Sequence, residues 1–404
     1  MRIAILAQFP IHLLPGFEQL GEPKHHYATW LPQLAQGFSR ELENSADPTS
    51  FSRERTPQQP RTNNASDSIH WVTLSHDVEA SYEVPHLGQT FHVLPTARKG
   101  RASSLFRNDR AAIRNQLVRI RPDLVHGWGN EDVYGWAAVE SGFPNMVSIQ
   151  GLLSAYAIKN RLPGRTYLQA LIELYVINDA DALVCESQWA IDMTKKRMFV
   201  KSPPAHLVEY GVQEIFYRSE WSPNPAKPVA IFTGSADTRK GIQDVIRAFR
   251  DPRIANAELW VLGEANSKYG KSLQQIAPHN VRWMGRLPIE ESVAYLRQGW
   301  CFVLPTRADT GPMAIKEARV VGLPVISSPH SGARDYIKEG KNGYLVEPGD
   351  VGALTDRLVR LLSDFDLCKK MGGFQHSEDR EYFHPARTAG SLLTIYRQMV
   401  GEKR

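Results

Sequence analysis

The sequence predicts an α/β protein built from two doubly wound parallel sheets facing a central cleft. Three observations carry this. Short apolar, β-branched runs alternate with longer stretches of helical period along almost the whole chain, the pattern of parallel strands covered by helices on both faces. The alternation stops at Trp221–Pro228 (WSPNPAKP) and then restarts, so 404 residues divide into two domains of ordinary size. Small-residue loops follow several strands, and in open sheets of this class ligands sit beyond the carboxyl ends of strands.

The first strand is read at 2–8. The run Met1–Gln8 (MRIAILAQ) is too short for a secretory signal and fits a buried strand. A loop at 10–21 (PIHLLPGFEQLG) follows, where Gly16 would let a ligand approach the backbone closely. A helix is expected at 25–43. The segment 43–67 (ENSADPTSFSRERTPQQPRTNNASD) offers almost no apolar area to bury and is expected to be a disordered insertion. Strands at 69–75, 90–95, 123–127, 145–149, 181–186 and 205–210 complete the first domain, 1–220. Helices lie between them near 103–120, 130–141, 165–178 and 187–197. Beyond the linker at 221–228, strands are expected at 229–234, 258–263, 280–284, 301–304, 324–327 and 343–346. The helices of this domain, 229–383, fall near 240–250, 267–276, 289–298, 312–321, 331–338 and 350–363. A last helix at 384–399, within 384–404, is expected to pack back on the first domain.

Composition narrows the class. A net charge of +5 is spread along the chain without a clustered basic motif, which argues against nucleic-acid binding. It leaves open peripheral contact with an anionic membrane. No apolar run approaches the roughly 18–20 residues that span a bilayer. Cys185, Cys301 and Cys368 lie far apart, without metal-ligand spacing, and Cys185 and Cys301 read as reduced core residues. These features favour the cytoplasm, with the inner face of the membrane as a possible peripheral location.

The chemistry is concentrated after three strands of the second half. After Cys301–Pro305 the chain reads Thr306-Arg307-Ala308-Asp309-Thr310-Gly311-Pro312-Met313-Ala314-Ile315-Lys316-Glu317. Pro312 suits the first position of a helix. The N–H groups of Met313, Ala314 and Ile315 would then point out at the positive end of the helix dipole, a ready site for a diphosphate. Asp309 and Glu317 would flank the phosphates and accept hydrogen bonds from sugar hydroxyls. After the strand at 229–234, the loop Gly234-Ser235-Ala236-Asp237-Thr238-Arg239-Lys240-Gly241 offers Lys240 as a point charge for phosphate oxygens. The turn Gly285-Arg286 could face a nucleobase through its backbone. In the first half, His126 stands at a strand end before a glycine-rich turn, and Gln150 opens another post-strand loop.

Together these segments resemble the family 4 retaining glycosyltransferases, over nearly the whole chain and best from about 229 to 350. The family's E-x7-E motif is similar to Asp309…Glu317, with Asp as its first acid. Glu317–Ile326 (EARVVGLPVI), Ser331–Asp335 (SGARD), Gly340–Val346 (GKNGYLV), Ala180–Ser187 (ADALVCES) and Glu209–Val212 (EYGV) match further segments. The resemblance implies the GT-B fold and transfer of a sugar from a nucleotide diphosphate donor to a glycan, lipid-linked or small-molecule acceptor. It implies that Glu317 binds the ribose, Asp309 the donor sugar, and Lys240 the diphosphate leaving group. His126, Lys240 and Asp309 are then the catalytic candidates. Gly16, Gly234, Ser235, Arg239, Gly285, Arg286, Thr310, Gly311, Pro312, Met313 and Ala314 join Lys240, Asp309 and Glu317 around the donor. No metal or other cofactor is expected, because cationic side chain and helix dipole take its place.

The chain departs from the family at three places. Ser235 stands where an Arg is usual, Trp128 where a second His often follows His126, and Gln150 where another His is usual. An epimerase or hydrolase acting on a nucleotide sugar, or a non-catalytic nucleotide-sugar-binding protein, therefore stands beside transfer. Retention of Lys240 and Glu317 argues against the non-catalytic reading.

Overall fold

The computed structural model describes residues 1–20, 30–46, 67–155 and 164–401. Most of the expected insertion, 47–66, lies outside the described residues. By contact the chain forms two compact units, one of residues 1–185, 191–211 and 385–404, the other of 186–190 and 212–384.

The first unit holds an eight-stranded sheet. Its strands are β1 (Arg2–Leu6), β2 (Ser68–Ser75), β3 (Tyr82–His86), β4 (Gln89–Pro95), β5 (Leu124–Trp128), β6 (Asn145–Ser148), β7 (Ala182–Cys185) and β8 (Ala205–Leu207), in the order β3-β4-β2-β1-β5-β6-β7-β8. Its helices are α1 (Trp30–Ala46), α2 (Arg107–Ile120), α3 (Val133–Val139), α4 (Gly164–Asp179) and, from Ile191 on, α5 (Gln188–Lys195). Ile3, Ala4, Ile5 and Leu6 are all fully buried, which is why β1 reads as a continuous apolar run. The first helix runs on to Ala46, past the point where the insertion was expected to start.

Strand β3 is absent from the sequence expectation. It is the one antiparallel strand of this sheet, joined to β4 by a tight turn in which Leu87 (φ 53°) and Gly88 (φ 67°) are both left-handed. Its Pro85 argues against a central strand and is tolerated here because β3 lies on the sheet edge.

The second unit holds a six-stranded parallel sheet of β9 (Val229–Thr233), β10 (Glu258–Leu262), β11 (Val281–Gly285), β12 (Cys301–Val303), β13 (Val325–Ser327) and β14 (Gly343–Leu345), ordered β11-β10-β9-β12-β13-β14. Helices α6 (Glu214–Tyr217), α7 (Ile242–Ala248), α8 (Lys268–Ile276), α9 (Ile289–Leu296), α10 (Met313–Val321), α11 (Val351–Leu362), α12 (Phe365–Gly373) and α13 (His376–Tyr382) accompany it. The helix expected at 331–338 shrinks to a single 3-10 turn, Gly332–Asp335. The stretch 221–228, read as a linker, packs inside this unit. The Trp221 indole stacks on Phe365 and donates to the Gly299 carbonyl at 2.7 Å, and Trp300 Nε1 donates to the Asn224 carbonyl at 2.9 Å. The chain passes from the first unit to the second at Gly211–Val212 instead. It returns to the first unit as α14 (Pro385–Gly401), where the Thr388 hydroxyl donates to the Glu209 carbonyl at 2.7 Å.

Three carboxyls of the first unit are costly to ionise. Burial first, and then the Asp132 charge, push Glu131 up to about 8. Burial raises Asp132 to about 6 and Glu173 to about 7, although Glu173 accepts the Ser154 hydroxyl and the Leu153 N–H. The folded chain thus holds protons that the unfolded chain releases near 4.5 for the two Glu and near 3.8 for Asp132. Their stabilisation is present at low pH and is lost as pH climbs through the folded values. The thermal midpoint of this unit should fall by roughly 5 °C or more between pH 5 and pH 8. Glu131→Gln should flatten that fall in calorimetry, and an equally steep fall in the variant would remove Glu131 from the account.

Candidate active site

The site grows from two neighbouring strands in the middle of the second sheet. β9 pairs with β12, so the loops that follow them emerge side by side at the carboxyl edge. Lys240 Nζ, from the loop after β9, lies 2.7 Å from Asp309 Oδ2, in the loop after β12. Arg239 Nη1 approaches the same oxygen at 3.5 Å and donates to the Ala308 carbonyl at 3.2 Å. The loops are tied at the Arg239 carbonyl as well: it accepts the Arg307 backbone N–H at 2.7 Å and the Thr306 side-chain hydroxyl at 3.1 Å. Gly241 heads α7 with φ 79°, and a side chain there would run into the Pro305 carbonyl, so glycine is required for the loops to close.

The electrostatics follow from this packing. Burial works against charge on Asp309, but the Lys240 ammonium and then the Arg239 guanidinium hold its carboxyl below the usual range. Ser235 is exposed, and its hydroxyl donates to Asp237 at 3.1 Å. The site therefore carries two cations, Lys240 and Arg239, around one carboxylate.

The head of α10 forms the second wall. Pro312 is its N-cap, and no side chain caps the helix. Ile315 N–H turns back to the Pro312 carbonyl at 2.9 Å and is not directed outward as the sequence suggested. Met313 and Ala314 are left with their N–H groups at the positive end of the helix. Glu317, in the second turn, is half-buried, and its carboxyl has no hydrogen-bond partner among the described residues. Burial pushes it up to about 7.

Sequence reasoning missed the support beneath this wall. Lys316 is fully buried, and its Nζ lies 3.0 Å from Glu186 Oε2. Thr310 Oγ1 donates to Glu186 Oε1 at 3.3 Å, and the Ser187 hydroxyl donates to the Thr310 carbonyl at 2.5 Å. The Glu186 side chain fills the space that a side chain at Gly311 would need. The available signal was a lysine among the apolar residues of a helix, since a buried ammonium needs a carboxylate.

The remaining predicted residues fall in three places. Gly234, Gly285 and Arg286 share the carboxyl edge with Lys240: Gly234 N–H donates to the Leu262 carbonyl at 2.9 Å and Gly263 N–H to the Gly285 carbonyl at 2.8 Å, with Arg286 exposed beside them. Gly16 belongs to the first unit, in an exposed turn where its N–H donates to the Glu18 carboxylate. His126 is not presented to any ligand. It is fully buried in the first unit, with Nδ1 2.7 Å from the Tyr396 hydroxyl and Nε2 2.8 Å from Ser148 Oγ. Burial holds its pKa at about 3, so it stays neutral as a core residue and is corrected out of the catalytic set. Trp128 is also buried, 5.2 Å from the Tyr210 ring, and Gln150 Nε2 donates to the Tyr210 hydroxyl at 3.0 Å.

Residues 213–374 match the family described as Glycosyl transferases group 1, and residues 64–214 match Glycosyltransferase Family 4. The chain belongs to the family 4 glycosyltransferases. An uncharacterised glycosyltransferase of Methanocaldococcus jannaschii is 22% identical over 286 residues, 70% of this chain and 77% of the relative. Among solved structures, the sucrose-phosphate synthase of Thermosynechococcus elongatus superposes with a TM-score of 0.74 at 17% identity, covering 100% of both chains. The Anabaena protein HepE, in complex with UDP and glucose, superposes at 0.67 and 12% identity, over 98% of this chain and 100% of HepE. The fold of this glycosyltransferase is accordingly GT-B, with two Rossmann-like units. Among the described residues no helix is long and apolar enough to cross a membrane, and no group of three or more His, Cys, Asp or Glu could hold a metal ion.

Proposed function

We propose that this glycosyltransferase takes its sugar from a nucleoside diphosphate sugar held by the second unit, with retention of anomeric configuration and without a divalent cation. The acceptor is a glycan, a lipid-linked sugar or a small molecule. One observation carries the reading: Lys240 and Arg239 converge on Asp309 beside the uncapped head of α10. The complex of HepE with UDP and glucose supports the donor class.

In this reading Lys240 leaves Asp309 for the diphosphate as negative charge builds on the leaving group. The N–H groups of Met313 and Ala314 add to that stabilisation. The bond between the anomeric carbon and the phosphate oxygen breaks with its electron pair going to the phosphate. The acceptor oxygen attaches on the same face, and its proton passes to the departing phosphate. Asp309 orients the sugar hydroxyls. Arg239 supplies the second cation that Ser235 does not.

Glu317 accepts the ribose hydroxyls, which requires its ionised form. Affinity for the nucleoside diphosphate should therefore rise as pH climbs through about 7. Glu317→Gln should weaken binding about tenfold at pH 8 and much less at pH 6, because one charge-assisted hydrogen bond is worth roughly 1.5–3 kcal/mol. Calorimetric titration at both pH values checks this. Equal losses would mean that Glu317 does not bind in its ionised form.

Transfer should survive excess EDTA, since side-chain cations and helix dipole supply the charge a metal would bring. Activity measured with a panel of nucleoside diphosphate sugars, with and without chelator, tests the reading. Activity abolished by chelation and restored by Mg²⁺ or Mn²⁺ would recast Asp309 as a metal ligand.

A further inference from the structure

We propose that the first unit docks on an anionic lipid bilayer through an apolar ridge formed by α4 and the loop 195–201. The proposal goes beyond the donor site and does not depend on it. Tyr167, Leu171 and Tyr175 follow one another at four-residue intervals, so they share one face of α4, and all three are exposed, Leu171 by 65%. Asn178 continues the same face. Its Oδ1 accepts the N–H groups of Phe199 (2.6 Å) and Val200 (3.0 Å), and its Nδ2 donates to the Arg197 carbonyl at 2.8 Å. These bonds pin Phe199 and Val200 at the end of the ridge, where they are 72% and 84% exposed.

Such exposure costs the free protein and calls for a cover. The charge around it selects one. The loop reads Lys195-Lys196-Arg197-Met198-Phe199-Val200-Lys201, and its three lysines are exposed. Lys201 lies 3.2 Å from Asp179, and Lys196 points to the Met193 sulfur at 3.8 Å. Arg197 turns inward to the Ser154 hydroxyl at 2.7 Å and takes no part. An apolar ridge that carries two tyrosines along its length, with three exposed lysines and Asp179 at its loop end, matches the boundary between acyl chains and anionic headgroups. A second copy of the chain fits less well, because a two-fold contact would set these lysines against their own equivalents.

The full chain should sediment with vesicles of equal phosphatidylglycerol and phosphatidylcholine. It should not sediment with phosphatidylcholine alone, and added salt should release it. Lys195→Glu with Lys196→Glu should weaken binding at least tenfold, each basic residue near such a surface being worth about fivefold. Phe199→Ser with Val200→Ser should weaken it at least as much. Both double variants change exposed residues, and their thermal midpoints and nucleoside diphosphate affinity should match wild type. Wild-type chain that ignores anionic vesicles, or variants that bind as wild type does, would overturn the proposal. So would a concentration-dependent dimer in wild type that the serine variant dissolves, which would give the ridge to a second copy.

Discussion

Lys240→Ala is expected to lower kcat by about 10²–10³-fold, roughly 2–4 kcal/mol of transition-state stabilisation, in a protein that still folds. The expectation rests on two facts. Lys240 is the cation closest to Asp309, at 2.7 Å against 3.5 Å for Arg239, and it stands beside the uncapped head of α10. In the proposed mechanism the ammonium acts where charge develops on the leaving group, so its loss should fall on kcat more than on KM. Arg239 remains in the variant and still faces Asp309, which limits the loss. The fold should hold, because the loops are joined at the Arg239 carbonyl by the Arg307 N–H and the Thr306 hydroxyl, neither of which involves the Lys240 side chain. Steady-state kinetics with circular dichroism on the same sample checks both parts. An unchanged kcat in a folded variant would take Lys240 out of the mechanism.

The largest stability loss should come from Lys316→Met. Lys316 is fully buried, and its partner Glu186 is nearly so. Removing the ammonium leaves a carboxylate in the interior, at a cost of about 3–5 kcal/mol. Thermal unfolding should shift down by roughly 6–20 °C at about 2–4 °C per kcal/mol. The companion Glu186→Gln/Lys316→Met variant removes the orphaned charge and should recover most of the loss. It separates an electrostatic role from a packing one, since both variants share the same side chain at 316. The pair also lies beneath the loop that leads into α10: Glu186 touches Thr310 and occupies the space over Gly311. A Lys316→Met chain as stable as wild type would mean that the pair contributes nothing as an ion pair.

Much of the fold was legible because the strands are short, apolar and parallel. β1, β9 and β12 read as buried runs because both faces of each sheet are covered, and a run of that kind admits few other structures. The strand β3 was not legible, since Pro85 and the Leu87–Gly88 turn suppress the local signal and only the pairing with β4 makes it a strand. Helices α12 and α13 were missed for a related reason. They are short, and α13 is polar in sequence; it is held by Arg319, whose Nε lies 2.8 Å from Asp379.

The same division runs through the site. Sequence alone determined the family and the two Rossmann-like halves, and it pointed to the loops after β9 and β12 as the candidate place of the chemistry. Those features are local: a strand, a small-residue loop, a helix head with Pro at its start, and acids eight residues apart. Tertiary structure decided which side chains face one another. It turned Arg239 onto Asp309, placed Glu186 under Thr310 and against Lys316, and buried His126 between Tyr396 and Ser148. The physical reason is distance along the chain. His126 and Tyr396 are 270 residues apart, and Glu186 and Lys316 are 130 apart. Local propensity fixes an element and its ends, but whether a histidine at a strand end meets a ligand or a tyrosine depends on which helix comes to rest on it.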